Sequence, residues 1–300
     1  MVPLAFPRRS ALYVPAINAR AVAKARELPV DVVILDLEDS VAVDQKGLAR
    51  QQISEAVRVG GYGPRELVVR INGSDTPWHE ADLEAALLAA PAGILLPKVE
   101  SPESILRVAK RMETVGTPSH TKLWCMLETP RGVLAASEIL QCHFRLAVAV
   151  MGTSDLTREL RAQHTALRLP LLASLGLCLL AARAHGIAIL DGVHLDLEDE
   201  VGFGEICRQG RELGFDGKTL IHPRQIALCN AAYSPTLAEV ESAQVIIARY
   251  AEARERGQGV TVVGGRLVEE LHVAEAQRIL ALHQVLMHPD RAEPTRSDIP

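Results

Sequence analysis

Short aliphatic and β-branched runs recur along the chain, each followed by a longer stretch whose apolar positions carry helical spacing. Eight runs read as strands: Ala11–Val14, Val30–Leu35, Leu67–Ile71, Gly93–Leu96, Leu123–Leu127, Leu146–Met151, Ile187–Leu190 and Asp216–Leu220. Most are apolar almost throughout instead of alternating, as parallel strands covered on both faces must be. Helical patterns fill the gaps, among them Asp44–Val57, Asp82–Ala90 and Ser101–Val115. The last opens with Ser101 as N-cap and Pro102 at the first helical position. Leu169–Ala184 is the most apolar stretch, but Pro170, Ser174 and Arg183 interrupt it and it is too short to cross a bilayer. It reads as a buried helix.

Eightfold strand–helix alternation predicts an α/β fold, a closed (β/α)₈ barrel over residues 1–232. An open doubly wound sheet is the alternative. Residues 233–287 read as a helical extension and lid: a helix over Leu237–Arg256, a Gly-rich turn over Gly257–Gly265 and a last helix over Val268–Met287. The polar segment 288–300 reads as a disordered tail. No internal repeat appears.

Composition enters by exclusion. A net charge of −5 offers no footprint for nucleic acid or an anionic membrane surface. The five cysteines are odd in number and none are spaced C-x-x-C, so neither a disulfide framework nor a structural zinc site is expected. A reducing, cytoplasmic setting is the expectation. Met1–Arg9 lacks the apolar core of a signal peptide.

Barrel chemistry sits at the C-terminal ends of strands, and here that edge is crowded with polar groups. Strand 2 ends in Asp36-Leu37-Glu38-Asp39, strand 3 in Arg70-Ile71-Asn72, strand 4 in Pro97-Lys98 and strand 5 in Glu128-Thr129-Pro130-Arg131. Strand 6 ends in Gly152-Thr153-Ser154-Asp155, strand 7 in Asp191 and strand 8 in Lys218-Thr219. Glu128 and Asp155, on adjacent strands, offer Mg²⁺ the hard oxygen ligands it prefers and leave positions open. The competing reading makes each carboxylate a helix cap. The turn at Gly152 exposes backbone N–H groups to a substrate carboxylate. Arg70 is a permanently charged fork suited to a carboxylate or a developing enolate oxygen. Other motifs fail. Gly217-Lys218-Thr219 lacks the distal glycine of a phosphate loop, and Gly202-Phe203-Gly204 has Cys207 where a third glycine belongs. There is no H-E-x-x-H and no G-x-S-x-G. His222 reads as structural.

Taken in order, these segments resemble the HpcH/HpaI aldolase superfamily, in its branch of citrate lyase β subunits and malyl-CoA or citramalyl-CoA lyases. The likeness runs through Arg8–Pro15, Asp36–Ala42, Val69–Asn72, Leu96–Glu100, Leu127–Gly132, Gly152–Leu156 and Gly214–Pro223, and covers roughly residues 8–280. It implies Mg²⁺, with Mn²⁺ as a substitute, on Glu128 and Asp155. It implies Arg70 on the thioester side of an acyl-CoA, and Glu38 and Asp39 as carboxylates orienting Arg70 and metal-bound water. Lys98, Gly152, Thr153 and Ser154 are implied in substrate binding. It also implies a homotrimer or hexamer in which a C-terminal lid reaches a neighbour's site. There the family carries an aspartate acid/base in a Gly-(Arg/Lys)-Met-(Ile/Val)-Asp context. This chain reads Gly265-Arg266-Leu267-Val268-Glu269, a carboxylate one methylene longer, and Glu269 is the candidate acid/base acting in trans. Two further departures are Gly73 in place of proline after Arg70-Ile71-Asn72, and Ser154 in place of asparagine.

The leading expectation is a Mg-dependent carbon–carbon lyase on a small hydroxyacyl-CoA. The alternatives are a citrate lyase β subunit working in a complex, a malyl-CoA thioesterase on the same scaffold, and a non-catalytic assembly subunit.

Overall fold

The computed structural model describes residues 7–288, so the expected tail beyond His288 and most of the N-terminal segment lie outside the described residues. Residues Arg8–Tyr233 form one compact unit, and the described residues from Ser234 to His288 belong to a second.

In the first unit eight parallel strands close into a barrel in sequential order. The chain runs β1 (Ser10–Pro15), α1 (Ala19–Lys24), β2 (Val32–Asp36), α2 (Lys46–Val59), β3 (Glu66–Arg70), α3 (His79–Ala89), β4 (Gly93–Leu96) and α4 (Pro102–Val115). It continues through β5 (Lys122–Leu127), α5 (Pro130–Leu134), α6 (Ala136–Gln141), β6 (Leu146–Met151), α7 (Thr153–Glu159), α8 (Leu172–Ala184), β7 (Ala188–Asp191), α9 (Glu200–Leu213), β8 (Gly217–Leu220) and α10 (Ile226–Tyr233). Every run read as a strand is one, with ends shifted by at most two residues.

The continuous apolar runs divide by parity. Ala11, Val32, Ile34, Val68, Leu95, Trp124, Met126, Val148, Val150 and Leu190 fill the barrel interior. Their neighbours Leu12, Val33, Val69, Ile94, Leu123, Cys125 and Ala149 pack outward under the helices. Alternation along a strand sends successive side chains to opposite faces, so each strand has one inward-facing residue at its C-terminal end. On β2 and β3 those residues are Asp36 and Arg70, Tyr13 shares the inward parity two residues before the end of β1, and Glu128 follows one step beyond β5 on the same parity as Met126. The barrel core thus leads directly into the polar edge.

Local expectations needed some correction. A 3₁₀ turn over Val43–Gln45 precedes α2, which starts at Lys46 and not at Asp44. Ser101 occupies the N-cap position of α4 before Pro102, but its side chain makes no capping hydrogen bond. The stretch from Leu169 is not one buried helix. It opens with a 3₁₀ turn, and on α8 Leu177 and Leu180 are exposed while Leu175 and Cys178 are buried, because the helix covers the barrel with one face only.

Behind β7 and β8 lies a buried ion cluster. Asp191 takes Arg168 Nη1 at 2.7 Å and Lys218 Nζ at 3.2 Å, and all three side chains are at least nine-tenths buried. One carboxylate there balances two cations. Asp191→Asn leaves both without a counter-charge, a loss that typically costs about 3–5 kcal/mol. The expected result is a marked drop in the denaturant midpoint, read by chemical unfolding. A shift within about 0.5 kcal/mol, the range of ordinary surface substitutions, would contradict it.

The second unit contains α11 (Leu237–Glu255), the strands β9 (Thr261–Val263) and β10 (Arg266–Val268), and α12 (Glu270–Met287). The expected glycine-rich turn is a β-hairpin, with β9 and β10 antiparallel. Gly264 and Gly265 at its tip both have positive φ (56° and 77°), the conformation that two-residue hairpin turns demand and glycine supplies. Val268 belongs to β10, so the last helix begins two residues later than expected. No helix among the described residues is long and apolar enough to cross a membrane.

Candidate active site

The ends of β1–β3, β5, β6 and β8, with the loop after β7, surround a cavity of about 350 Å³. Arg70 stands in its wall, 8 % exposed. Asp36 grips it as a fork, with Nε–Oδ1 at 2.7 Å and Nη2–Oδ2 at 2.8 Å. The remaining terminal nitrogen, Nη1, faces Glu38 at 2.9 Å and Asp39 at 3.6 Å. The guanidinium also lies over the Tyr13 ring, 4.7 Å from its centroid. Such a bidentate pair fixes a planar group more tightly than a point contact can.

These carboxylates do not share the charge equally. Burial opposes ionisation of Asp36, but Arg70 and the bonds from Ser40 and the Glu38 N–H outweigh it and hold its pKa below the usual range. Glu38 shares a guanidinium that Asp36 already matches. Burial, reinforced by Glu128, Asp39 and Asp36 and only partly opposed by Arg70, pushes Glu38 up to about 8.

Glu128, 1 % exposed, lines the same cavity. Its Oε1 accepts the Lys98 N–H at 2.7 Å. Lys98 adopts a left-handed φ of 50°, a strained choice for a side-chain-bearing residue that aims this N–H at the carboxylate. Its ammonium lies 3.7 Å from Glu38 Oε1. Burial lifts the Glu128 pKa to about 7, the Lys98 N–H lowers it in part, and nearby Asp155 raises it. Thr129 caps α5 by accepting from Gly132 N, so Glu128 is not that helix's cap. Asp155 sits in the first turn of α7 and pairs with the exposed Arg158 at 2.6 Å.

Two glycines make these approaches possible. A Cβ on Gly152 would collide with the Glu128 side chain, and one on Gly192 would collide with Thr153. Ser154 lines the cavity, and its Oγ is buried with no hydrogen-bond partner among the described residues.

The barrel therefore gathers Arg70, Glu38, Asp39, Lys98, Glu128, Gly152, Thr153, Ser154 and Asp155 around one edge. Glu269 lies in the second unit, where it is the N-cap residue of α12 and its N–H donates to His272 Nδ1 at 3.1 Å. His222 caps a 3₁₀ turn by accepting the Arg224 N–H at 3.1 Å, a structural placement. Sequence reasoning gave the orienting of Arg70 to Glu38 and Asp39 and missed Asp36 and Tyr13. Parity would have found both, since Val32, Ile34 and Asp36 share one face of β2, as Ala11 and Tyr13 do of β1.

A divalent cation fits the donor set. Glu128 and Asp155 both line the cavity, and Glu128 is buried with no ion-pair partner among the described residues. Two carboxylates with one side open suit a hard cation that keeps water or substrate oxygens. No cluster of three or more His, Cys, Asp or Glu residues suited to a metal occurs among the described residues, so a complete protein cage is not available.

Comparisons with known proteins follow the same lines. The HpcH/HpaI aldolase/citrate lyase family pattern matches residues 9–223. A (3S)-malyl-CoA thioesterase of Cereibacter sphaeroides is 47% identical over 281 residues, spanning 94% of this chain and 96% of its own. The citrate lyase subunit beta of Leuconostoc mesenteroides is 38% identical, spanning 92% and 93%. The crystal structure of CitE from Mycobacterium tuberculosis in complex with magnesium, acetoacetate and coenzyme A superposes with a TM-score of 0.74 at 32% identity, covering 90% of this chain and 96% of that one. By sequence pattern, fold and overall similarity, the chain belongs to the HpcH/HpaI aldolase/citrate lyase family.

Proposed function

We propose that this protein is a Mg²⁺-dependent enzyme acting on malyl-CoA or a close hydroxyacyl-CoA, and that hydrolysis of the thioester is its main outcome. The observation that carries the cofactor and site assignment is the buried Glu128 lining one cavity with Asp155 and the clamped Arg70. The preference for hydrolysis rests on the 47% identity to a (3S)-malyl-CoA thioesterase, against 38% to a citrate lyase β subunit. Carbon–carbon cleavage, the leading expectation from sequence, stands as the second reading, favoured by the β-subunit relatives and by the carboxylate at Glu269.

Glu128 and Asp155 are the proposed metal ligands; a bound Mg²⁺ polarises substrate oxygens and acidifies a hydroxyl or water. The backbone N–H groups at Thr153–Asp155 and the free Ser154 hydroxyl hold the substrate carboxylate. Arg70 addresses the thioester carbonyl oxygen. That oxygen gains negative charge on either route, as a tetrahedral oxyanion in hydrolysis or as an enolate in carbon–carbon cleavage. One preorganised guanidinium serves both. Asp36 and Glu38 orient it, and Lys98 fixes Glu128. The routes part at the proton. Hydrolysis consumes water and releases malate and free CoA. Cleavage must protonate the acetyl carbon and releases glyoxylate and acetyl-CoA, so it alone needs an acid at carbon.

Product analysis by liquid chromatography with purified protein and (3S)-malyl-CoA decides between them. Free CoA formed in step with malate is the expected result. Acetyl-CoA with glyoxylate as the main products would overturn hydrolysis in favour of the lyase. Glu269→Gln then follows: hydrolysis should proceed within about twofold of the wild-type rate, whereas a lyase using Glu269 in trans should lose about a hundredfold or more. A hundredfold loss of hydrolysis would show that Glu269 acts in that reaction too.

A further inference from the structure

Lys46, which does not line the cavity, opens helix α2 and is 5 % exposed. This is a poor place for a cation. The first turn of a helix repels positive charge, and a buried ammonium ordinarily needs a carboxylate partner. None lies within ion-pair distance of Nζ among the described residues. Instead its three N–H groups meet three neutral oxygens: Leu37 O at 2.7 Å, Glu38 O at 2.7 Å and Asn72 Oδ1 at 2.8 Å. The Trp78 ring covers it at 5.2 Å. Residues that break local rules are expected where function requires them.

The three acceptors identify that function. Leu37 and Glu38 are the first residues beyond β2: they follow Asp36, which holds the fork on Arg70, and Glu38 itself supplies the second carboxylate on that guanidinium. Asn72 stands two residues after Arg70 at the end of β3, and its amide donates to Leu37 O at 2.9 Å. One ammonium therefore joins the two strand ends that supply the two halves of the Arg70 clamp. We propose that Lys46 is a positioning residue: it sets the register of the β2 and β3 ends in which Asp36 and Glu38 aim Arg70 at the substrate. The inference rests on the reading of Arg70 as the group that meets the thioester carbonyl.

The test pairs a double-mutant cycle with a measurement that needs no turnover. Lys46→Met, close in shape and uncharged, should lower kcat for (3S)-malyl-CoA at least tenfold in the wild-type background, measured on folded enzyme well below its Tm. In an Arg70→Lys background it should lower kcat less than threefold, because the group being aimed is already gone. A merely structural lysine would lower Tm while leaving kcat of the folded enzyme unchanged, or would act equally in both backgrounds; either result overturns the proposal. Exchange of the Arg70 Nε–H with solvent, read by nitrogen-15 NMR and assigned by its absence in Arg70→Lys, should be at least tenfold faster in Lys46→Met. An unchanged exchange rate overturns the proposal even if the wild type proves inactive on malyl-CoA, an outcome that would defeat only the substrate reading. Should Lys46→Met yield too little folded protein, Lys46→Gln keeps two donors without the charge and should lower kcat at least fivefold; an unchanged kcat there counts against the proposal equally.

Discussion

Replacing Arg70 by lysine should lower turnover about a hundredfold, roughly 2.7 kcal/mol of barrier. The magnitude follows from geometry. Asp36 holds the Nε–Nη2 edge of the guanidinium in a fork with bonds of 2.7 and 2.8 Å, leaving Nη1 toward Glu38 and the cavity. Lysine has no planar fork, so its ammonium can satisfy Asp36 or address the substrate but not both in the same orientation. It also loses the ordered stack on Tyr13. The change should fall on kcat more than on KM, because the charge on the carbonyl oxygen develops only in the transition state. Steady-state kinetics on protein with wild-type circular dichroism checks it. A kcat within threefold of wild type would remove Arg70 from the chemistry.

The second large effect is expected at Glu128. Glu128→Gln should weaken Mg²⁺ binding at least about tenfold by calorimetric titration and abolish most activity, since glutamine keeps the shape and loses the charge a hard cation requires. Stability should move the other way. Burial raises the folded pKa of Glu128 to about 7. A carboxyl whose pKa is raised on folding stabilises the fold while it is protonated, and that contribution disappears as pH rises from about 4.5 through 7. Glutamine stays neutral throughout. At pH 8 without metal the variant should therefore unfold at the same temperature as wild type or higher. Lost activity with a lowered Tm would mean instead that Glu128 is a structural residue.

Most of the barrel was legible because a β/α barrel writes itself twice: apolar runs mark the strands, and polar clusters mark their C-terminal ends. The clusters around Arg70, Glu128 and Gly152–Asp155 were readable for that reason. Within a cluster, the string does not rank its carboxylates. The family resemblance gave the orienting of Arg70 to Glu38 and Asp39, which both lie beside Nη1, and left out Asp36. Asp36 is the residue on the inward parity of β2 and takes the fork, while Glu38 reaches only the nitrogen left over. Lys46 was invisible because two of its three partners are backbone carbonyls, which sequence does not display, and the third, Asn72, lies 26 residues away. The hairpin at Gly264-Gly265 read as a turn because strands of three residues are too short to show a period. The register of Glu128 against Gly152 depends on a missing Cβ, a contact that becomes apparent only in three dimensions.

On the proposed reading, this cavity consumes a malyl thioester only with a divalent cation on Glu128 and Asp155. The most direct test is the rate of (3S)-malyl-CoA consumption by purified protein stripped with excess chelator, before and after Mg²⁺ is restored in excess over the chelator. Consumption should fall to background on stripping and recover nearly fully with Mg²⁺, and Glu128→Gln should show no recovery. Undiminished consumption in excess chelator would show that the cavity needs no divalent cation.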